Sequence, residues 1–429
     1  MTLGCQATDL PKVVPLTDAQ RKLVKATAPI LAQHGETVTA HFYQKMLDHH
    51  PELQNVFNHT SQVTNKQPAA LAAAVYAYAV HIDDLTPVLP VVEHIAHKHV
   101  TLDIQPSQYN IVGTHLLGAI QDILGDAFTP DLFDAWYAAY WQLANILINR
   151  ERELYEGAKW AGWKSFKLEK RVKESEEVTS FYLVPEESSL LPLPEYKAGQ
   201  YISVRKFVPK LGIHQCRQYS LSDTPNPEHF RISVKRELGA EGVNGQHDHP
   251  GSMSNLIHDT LQVGDTIDVA APFGDFFIDS NPSPIVLISA GVGITPAMSM
   301  LNTIFSQKDA KSQRTTSWIH TAHNRSKHPF REHVRALAEK NPEKLRQLVF
   351  YSEPDVGSVK GQDYHLEGRA DLGRVPKANL YLDDKASQYY VVGPVSFMAD
   401  IHKGLVSLGV ESDRVHMELY GTGSIPVAA

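Results

Sequence analysis

Cysteine is scarce in this 429-residue chain: Cys5 and Cys216 are the whole supply. Two thiols this far apart exclude a cysteine metal cluster and a disulfide-stapled scaffold, and they fit a reducing compartment. No stretch approaches the roughly 18 consecutive apolar residues that a bilayer span needs. The residues from Met1 to Cys5 lack a basic region followed by an apolar one, so no secretory signal is expected and the cytoplasm is the expected location. A surplus of positive charge is also missing. Lys and Arg number 40 against 48 Asp and Glu, a net charge of −8, which argues against nucleic acid as a partner. No internal repeat or low-complexity tract is present. Histidine, by contrast, occurs 22 times, so one histidine proves nothing by its presence.

At roughly 150 residues per domain, the length suggests about three domains. With 42% apolar and 21% charged residues, ordinary cores are expected. Residues 1–15 read as an irregular lead containing Pro11 and Pro15. From Leu16 to about Tyr155 the periodicity is almost entirely helical. Thr17 is placed to cap the first helix. VTNKQPAALAAAVYAYAVHI is alanine-rich and several turns long. Thr64 and Gln67 have the spacing of a capping box, which puts Gln67 and Pro68 near the start of that helix. Breaks fall at Pro87–Pro90, at Pro106 and at Gly125–Pro130. Residues 1–156 therefore predict an all-α domain with an N-terminal extension.

The pattern changes near Gly157. SFKLEKRV, TSFYLVP, GQYISVRKFV, RQYSLSD, HFRISVKRE and DTIDVA predict short strands of an antiparallel β-barrel over 157–279. A surface loop is expected between Arg236 and Ser252, where Gly, Asp, Asn and His dominate. From 280 to 429 the order becomes α/β. PIVLISAG is a continuous apolar strand of the kind covered on both faces, and alternation with helices predicts an open parallel sheet.

HFYQKML, PELQNVFN, HKHV, QYNIVG and NRERELY make residues 16–156 resemble the globin half of the flavohemoglobin family. By residue type alone, His94, His97 and His99 are equivalent and Glu151 reads as part of a solvated helix face. The resemblance singles out His99 as ligand to a heme b iron, a role neutral imidazole suits. Tyr109 and Glu151 match residues that organise that histidine, and an anionic partner makes an imidazole more electron-donating. Tyr43, Gln67 and Leu71 match the distal pocket. There Tyr43 is the expected donor to bound oxygen, Gln67 a second donor, and Leu71 the residue that limits the space. Phe57 matches an aromatic wedged against the heme.

The middle region is similar to the FAD-binding barrels of ferredoxin-reductase-like proteins, on AGQY, RQYS, SMSN and GDFF taken in that order. The resemblance assigns Gly199, Gln200, Tyr201, Arg217, Gln218, Tyr219 and Ser220 to the flavin. Arg217 is expected at the pyrophosphate, Tyr219 along the isoalloxazine and Ser220 near its redox-active nitrogen. Gly251, Met253, Ser254 and Asn255 match a phosphate-binding helix start. In the last third, SAGVGITPAM follows a strand and opens a helix. Gly291, Val292, Gly293, Ile294, Thr295 and Pro296 match a pyridine-nucleotide segment, with Gly393 and Pro394 of VVGP beside them. Val392 stands where relatives carry cysteine. Glu418 and Tyr420 of MELYGTG match a terminal segment whose aromatic covers the flavin. The sequence leaves NADH and NADPH both open: Arg325 and Lys327 are basic residues of the kind that meets the 2′-phosphate of NADPH, and equally of the kind common on any exposed surface.

What the resemblance implies is nitric oxide dioxygenase activity, with electrons passing from NADH or NADPH through FAD to heme and with nitric oxide and O₂ as substrates. A monomer is expected, and a lipid in the distal pocket is a further partner the family allows. Two other readings stand beside it: a heme-based oxygen or redox sensor, and an NAD(P)H-dependent reductase of other acceptors.

Overall fold

The computed structural model describes residues 10–11, 14–241, 247–248, 250–307 and 313–421. Its helical region runs through α1 (Asp18–Ala26), α2 (Ala28–His49), α3 (His59–Val63), α4 (Lys66–Val80), α5 (Leu89–Thr101), α6 (Gln108–Leu124) and α7 (Pro130–Gly157). Thr17 caps α1 reciprocally with Gln20, and Thr129 caps α7 ahead of Pro130. α2 packs on α4 and α6, and α5 on α7. The α2–α4 approach is close because Gly35 lies under Ala72, where an added Cβ would stand 3.3 Å from the Ala72 Cβ. Phe42, Met46, Ile120 and Trp136 centre one core; Val92, Ala96, Tyr109 and Trp141 centre another beside α5.

The expected capping box at Thr64 and Gln67 is not formed. Thr64 turns its hydroxyl back to the Thr60 carbonyl at 2.7 Å. The chain then passes through the left-handed region at Asn65 (φ 58°), which Asn tolerates, and α4 begins at Lys66 with no side-chain cap. Gln67 and Pro68 do fall in the first turn, and the Gln67 side chain is left available for a tertiary partner.

The β region contains β1 (Lys164–Lys173), β2 (Val178–Pro185), β3 (Tyr201–Val208), β4 (Ile213–Ser220), β5 (Phe230–Lys235), β6 (Ala240–Glu241), β7 (His247–Asp248), α8 (Ser252–Thr260) and β8 (Thr266–Val269). The six-stranded sheet has the order β4-β3-β8-β1-β2-β5, with antiparallel pairing of β1 with β2, β2 with β5 and β3 with β8. A bridge between Leu221, just past β4, and Ile232 of β5 joins the two ends of this order, the closure a barrel requires. Within the stretch expected as loop, β6 and β7 form a short antiparallel pair.

The α/β region follows as β9 (Ile285–Ala290), α9 (Ile294–Ser306), β10 (Thr316–Ala322), α10 (Arg331–Lys340), β11 (Leu345–Tyr351), β12 (Leu366–Glu367), β13 (Gln388–Val392), α11 (Val395–Ser407) and β14 (Val415–Glu418). All five neighbouring pairs in the order β12-β11-β10-β9-β13-β14 are parallel. One core lies on the α9 face, around Leu287, Met298 and Trp318, and another on the α11 face, around Ile288, Phe350 and Met398. Burial on both faces explains why β9 reads as an uninterrupted apolar run. The strand order reverses between β9 and β13, the place where sheets of this kind open a ligand crevice.

By contacts the chain divides into two compact units. One takes in the helical region through Lys164 together with Ser203–Gln218 and Asp268–Asp275; the other takes in Ser165–Ile202, Tyr219–Ile267 and the chain from Phe276 on. Among the described residues, no helix is long and apolar enough to cross a membrane.

Candidate functional site

His99 sits on the last turn of α5, and the geometry separates it from the two neighbouring histidines. His97 is engaged on both ring nitrogens, Nε2 with Glu93 at 3.1 Å and Nδ1 with the Gly274 amide at 3.1 Å. His94 holds Asp275 through Nδ1 at 3.0 Å. His99 makes both of its polar contacts through Nδ1, 2.7 Å from Glu151 Oε1 and 3.0 Å from the Tyr109 hydroxyl. With Nδ1 bonded to the carboxylate, the tautomer that leaves a lone pair on Nε2 is favoured, the form a metal ligand requires.

Glu151 lies on α7 with 2% of its surface exposed, and it also accepts the Tyr109 hydroxyl at 2.5 Å. Burial, followed by the Glu151 charge, raises the pKa of the Tyr109 phenol, so it remains a donor. Tyr140 steadies this arrangement by donating to the Tyr109 carbonyl at 2.5 Å. Gly113 makes room for that ring, since a Cβ there would meet it at 2.5 Å. Gly113 and Tyr140 carried no signal in the sequence, because their contact joins α6 to α7.

On α2, Tyr43 is buried at 6% exposure and packs edge-on to Phe57 with ring centres 5.4 Å apart. Burial pushes its phenol up to about 12, opposed by a hydrogen bond from the Gln67 side chain. The phenol is therefore neutral at physiological pH and keeps its proton. Thr39 Oγ donates to the Pro68 carbonyl at 2.8 Å and ties the start of α4 to α2 beside that contact. Leu71 and Phe57, both partly buried, pack on the same core. Tyr43, Gln67, Leu71 and Phe57 are thus assembled around one wall of the helical region. The donor set fits a heme: an imidazole held by a buried carboxylate on one helix, and an apolar wall with a neutral phenol on another.

In the β region, Gly199 is in the left-handed half of backbone space (φ 115°), and a Cβ there would meet the Phe276 carbonyl at 2.5 Å. Gln200 Oε1 accepts the Lys197 amide at 2.9 Å, and Tyr201 is buried at the start of β3. Gly251 precedes α8, where a Cβ would stand 2.6 Å from Ser254 Oγ. Ser254 Oγ accepts the Glu237 amide and Asn255 Nδ2 donates to the Glu237 carbonyl, so both side chains hold the turn. Met253 is buried beneath it. α8 has no side-chain cap, so the amides of its first turn suit a phosphate.

Arg217 donates back to the Cys216 carbonyl at 2.7 Å, and Gln218 Nε2 reaches Thr101 Oγ1 on α5 at 3.2 Å. Tyr219 and Ser220 close β4. Ser220 Oγ lies 3.1 Å from the Tyr420 hydroxyl, which also lies 3.0 Å from Thr295 Oγ1. That single phenol links the flavin motif to the start of α9, although the three residues span 201 positions of sequence from 220 to 420.

At the switch point, Gly291 has φ 55°, while Gly293 is held so close to β13 that a Cβ would meet the Val392 carbonyl oxygen at 2.3 Å. Val292 bridges these two glycines, and Ile294, Thr295 and Pro296 form the buried first turn of α9. Gly393 leaves no room for a side chain either, with Phe397 and Ala290 inside 3 Å of such a Cβ, and Pro394 precedes α11. Val392 buries its side chain in the core on the α9 face. Glu418, at 6% exposure, pairs in register with Val392. The glycine cradle and uncapped α9 start fit a pyridine-nucleotide phosphate. Arg325 and Lys327 are answered by carboxylates: Lys327 Nζ lies 3.0 Å from Glu177, and Arg325 Nε lies 3.7 Å from buried Asp363.

Comparison with known proteins follows the same three regions. Family models for the globin, the oxidoreductase FAD-binding domain and the oxidoreductase NAD-binding domain match residues 40–147, 165–278 and 287–403. A flavohemoprotein of Bordetella parapertussis is 46% identical over 96% of this chain and 100% of its own length. One from Rhizobium meliloti is 44% identical over 95% and 98%. The crystal structure of a Malassezia yamatoensis flavohemoglobin, with bound FAD and heme, matches at TM-score 0.80 and 29% identity over 95% of this chain and all of that one. The FAD/NAD-binding part of a Vibrio cholerae nitric oxide dioxygenase matches at TM-score 0.52 and 33% identity, covering 60% of this chain and 98% of that one. With relatives this similar along nearly their whole length, and with three domain models in this order, the chain belongs to the flavohemoprotein family.

Proposed function

We propose that this flavohemoprotein converts nitric oxide and O₂ to nitrate at the expense of NAD(P)H, one O₂ per nitric oxide and two turnovers per NAD(P)H. The observation that carries the reading is the buried Glu151 carboxylate 2.7 Å from His99 Nδ1. Heme b and FAD, when bound, would supply the redox chemistry that joins NAD(P)H oxidation to the oxygen reaction. His99 would hold the heme iron through Nε2, and Glu151 with Tyr109 keeps the imidazole oriented and electron-rich. Tyr43, keeping its proton, donates a hydrogen bond to the oxygen substrate, and Gln67 orients that phenol. Leu71 and Phe57 restrict the space and exclude water.

Gly199, Gln200, Tyr201, Arg217, Gln218, Tyr219 and Ser220 form the flavin cradle, with Gly251, Met253, Ser254 and Asn255 at its phosphates. Gly291 to Pro296, Gly393 and Pro394 receive the nicotinamide nucleotide. Tyr420 and Glu418 close the flavin's nicotinamide side. The domain limits that go with this reading are 1–156, 157–279 and 280–429. A monomer in the cytoplasm completes it, where reduced thiols and NAD(P)H coexist.

The test is nitric oxide consumption by purified holoprotein, with nitrate as the measured product. Because Lys327 and Arg325 already face carboxylates, NADH is expected to exceed NADPH in kcat/KM by roughly tenfold, about 1.4 kcal/mol of discrimination. Equal use of the two coenzymes contradicts that assignment. NADH oxidation that quinones accelerate and nitric oxide does not would move the chain to the general reductases. Replacing Tyr43 by Phe removes one hydrogen bond and is expected to slow nitric oxide turnover roughly tenfold, with flavin reduction unchanged in stopped flow. An unchanged turnover rate would take Tyr43 out of the reaction.

A further inference from the structure

Gln215 is wholly buried on β4, two residues before Arg217. A buried carboxamide is tolerated where its donors and acceptor are all matched, and here most of the matching groups are backbone atoms of the segment that carries Phe57, with the Arg217 guanidinium also donating to Oε1 at 3.4 Å. Gln215 Oε1 accepts the His59 amide at 3.0 Å. His59 is the first residue of α3, whose leading amides have no partner within the helix. Gln215 Nε2 lies 3.1 Å from the Gln54 carbonyl and 3.2 Å from the Phe57 carbonyl, with the His214 carbonyl also at 3.1 Å. Its neighbours reinforce the attachment. The His214 amide donates to Asn55 Oδ1 at 2.8 Å, and the Cys216 thiol reaches the Asn55 carbonyl at 3.5 Å. Phe57 in turn meets Tyr43 edge-on.

We propose that Gln215 is a positioning residue for the distal heme pocket: a side chain of the flavin-motif strand holds the backbone turn that places Phe57 against Tyr43. The inference rests on the reading above that Tyr43 and Phe57 line that pocket. The same strand reaches the other side of the heme region through Gln218, which bonds Thr101 two residues beyond His99. β4 is therefore a structural part of the globin pocket as well as of the flavin site. In Gln215→Leu the shape is roughly kept, but the His59 amide and the Gln54 and Phe57 carbonyls lose their partner. Gln215→Glu keeps an acceptor for His59 and loses the donors.

The test uses full-length holoprotein carrying heme and FAD. Amide hydrogen exchange is read over residues 54–61, together with the C–O stretching band of the reduced, CO-treated protein. Gln215→Leu is expected to speed exchange at His59 by on the order of tenfold and to shift or broaden the CO band. Gln215→Glu is expected to keep His59 protected and still move the band; it carries the test if the leucine variant does not fold. Ser180→Ala, which opens a buried hydroxyl pair with Ser233 in the barrel, is the control and is expected to move neither readout. A CO band and exchange pattern unchanged in both Gln215 variants, or changed equally in the control, overturns the proposal. A wild-type protein that forms no CO adduct, or does not consume nitric oxide, would instead overturn the functional reading.

Discussion

With His99 replaced by alanine, nitric oxide consumption is expected to fall below detection while NADH still reduces the flavin and ferricyanide still accepts electrons from it. The two halves of this outcome follow from where the residues lie. His99, Tyr109 and Glu151 are bound to one another within the helical region, whereas the Ser220–Tyr420–Thr295 link and the Gly293 turn belong to the other compact unit. Removing the imidazole takes one of two hydrogen bonds from the buried Glu151 carboxylate and leaves the bond from Tyr109, which penalises the local fold as well as the ligand. Added imidazole is expected to restore part of the heme's Soret intensity by occupying the vacated position. Glu151→Gln keeps the shape and removes the charge, and turnover is expected to drop roughly 10- to 100-fold, the usual cost of losing a residue that orients a metal ligand. Full activity in H99A would end the assignment of His99, and loss of flavin reduction along with it would point to general misfolding.

The sequence carried the fold well where structure is local. Helical periodicity, the Thr17 cap and the continuous apolar run of β9 are each written within a dozen residues, and each produces the element it predicts. The site was legible as residue types in order, through resemblance, but its geometry was not. His99, Tyr109 and Glu151 meet from three helices, and nothing in NRERELYE distinguishes a buried carboxylate from a solvated one. The Thr64–Gln67 spacing shows the opposite failure. A local motif is present, yet Thr64 bonds backward to Thr60 and Gln67 finds Tyr43 instead. Propensity for a cap is worth about 1 kcal/mol, so a tertiary hydrogen bond in a buried wall competes with it on equal terms. Gln215 had no signal at all, because the partners that tie it to the Phe57 segment are backbone atoms some 160 residues earlier, and backbone atoms leave no trace in side-chain identity.

Gly293→Ala is expected to slow reduction of the flavin by NADH by on the order of a hundredfold or more while heme content, flavin content and CO binding by dithionite-reduced protein stay near normal. The two glycines of this turn are glycines for different reasons. Gly291 has φ 55° with nothing within 4 Å of an added Cβ, so alanine there meets only the intrinsic strain of the left-handed region, about 1–2 kcal/mol. Gly293 has ordinary helical angles, φ −59° and ψ −8°, so alanine meets no backbone strain. It meets instead the Val392 carbonyl oxygen at 2.3 Å, its carbon at 2.6 Å and the Gly393 nitrogen at 2.9 Å. These are main-chain atoms of β13 and the turn after it, held by parallel pairing with β9 on one side and β14 on the other. They cannot rotate away as a side chain does, so the start of α9 must lift from the crevice. Displacing a positioned reactant by about 1 Å costs roughly a hundredfold in rate, and α9 also carries Thr295, the partner of Tyr420. Stopped-flow bleaching of the flavin separates the two glycines: Gly291→Ala is expected to lose stability with modest change in rate, and Gly293→Ala to lose rate. Wild-type bleaching in Gly293→Ala would mean that the nicotinamide does not enter between β9 and β13, and the crevice at the switch point would have to be given another ligand.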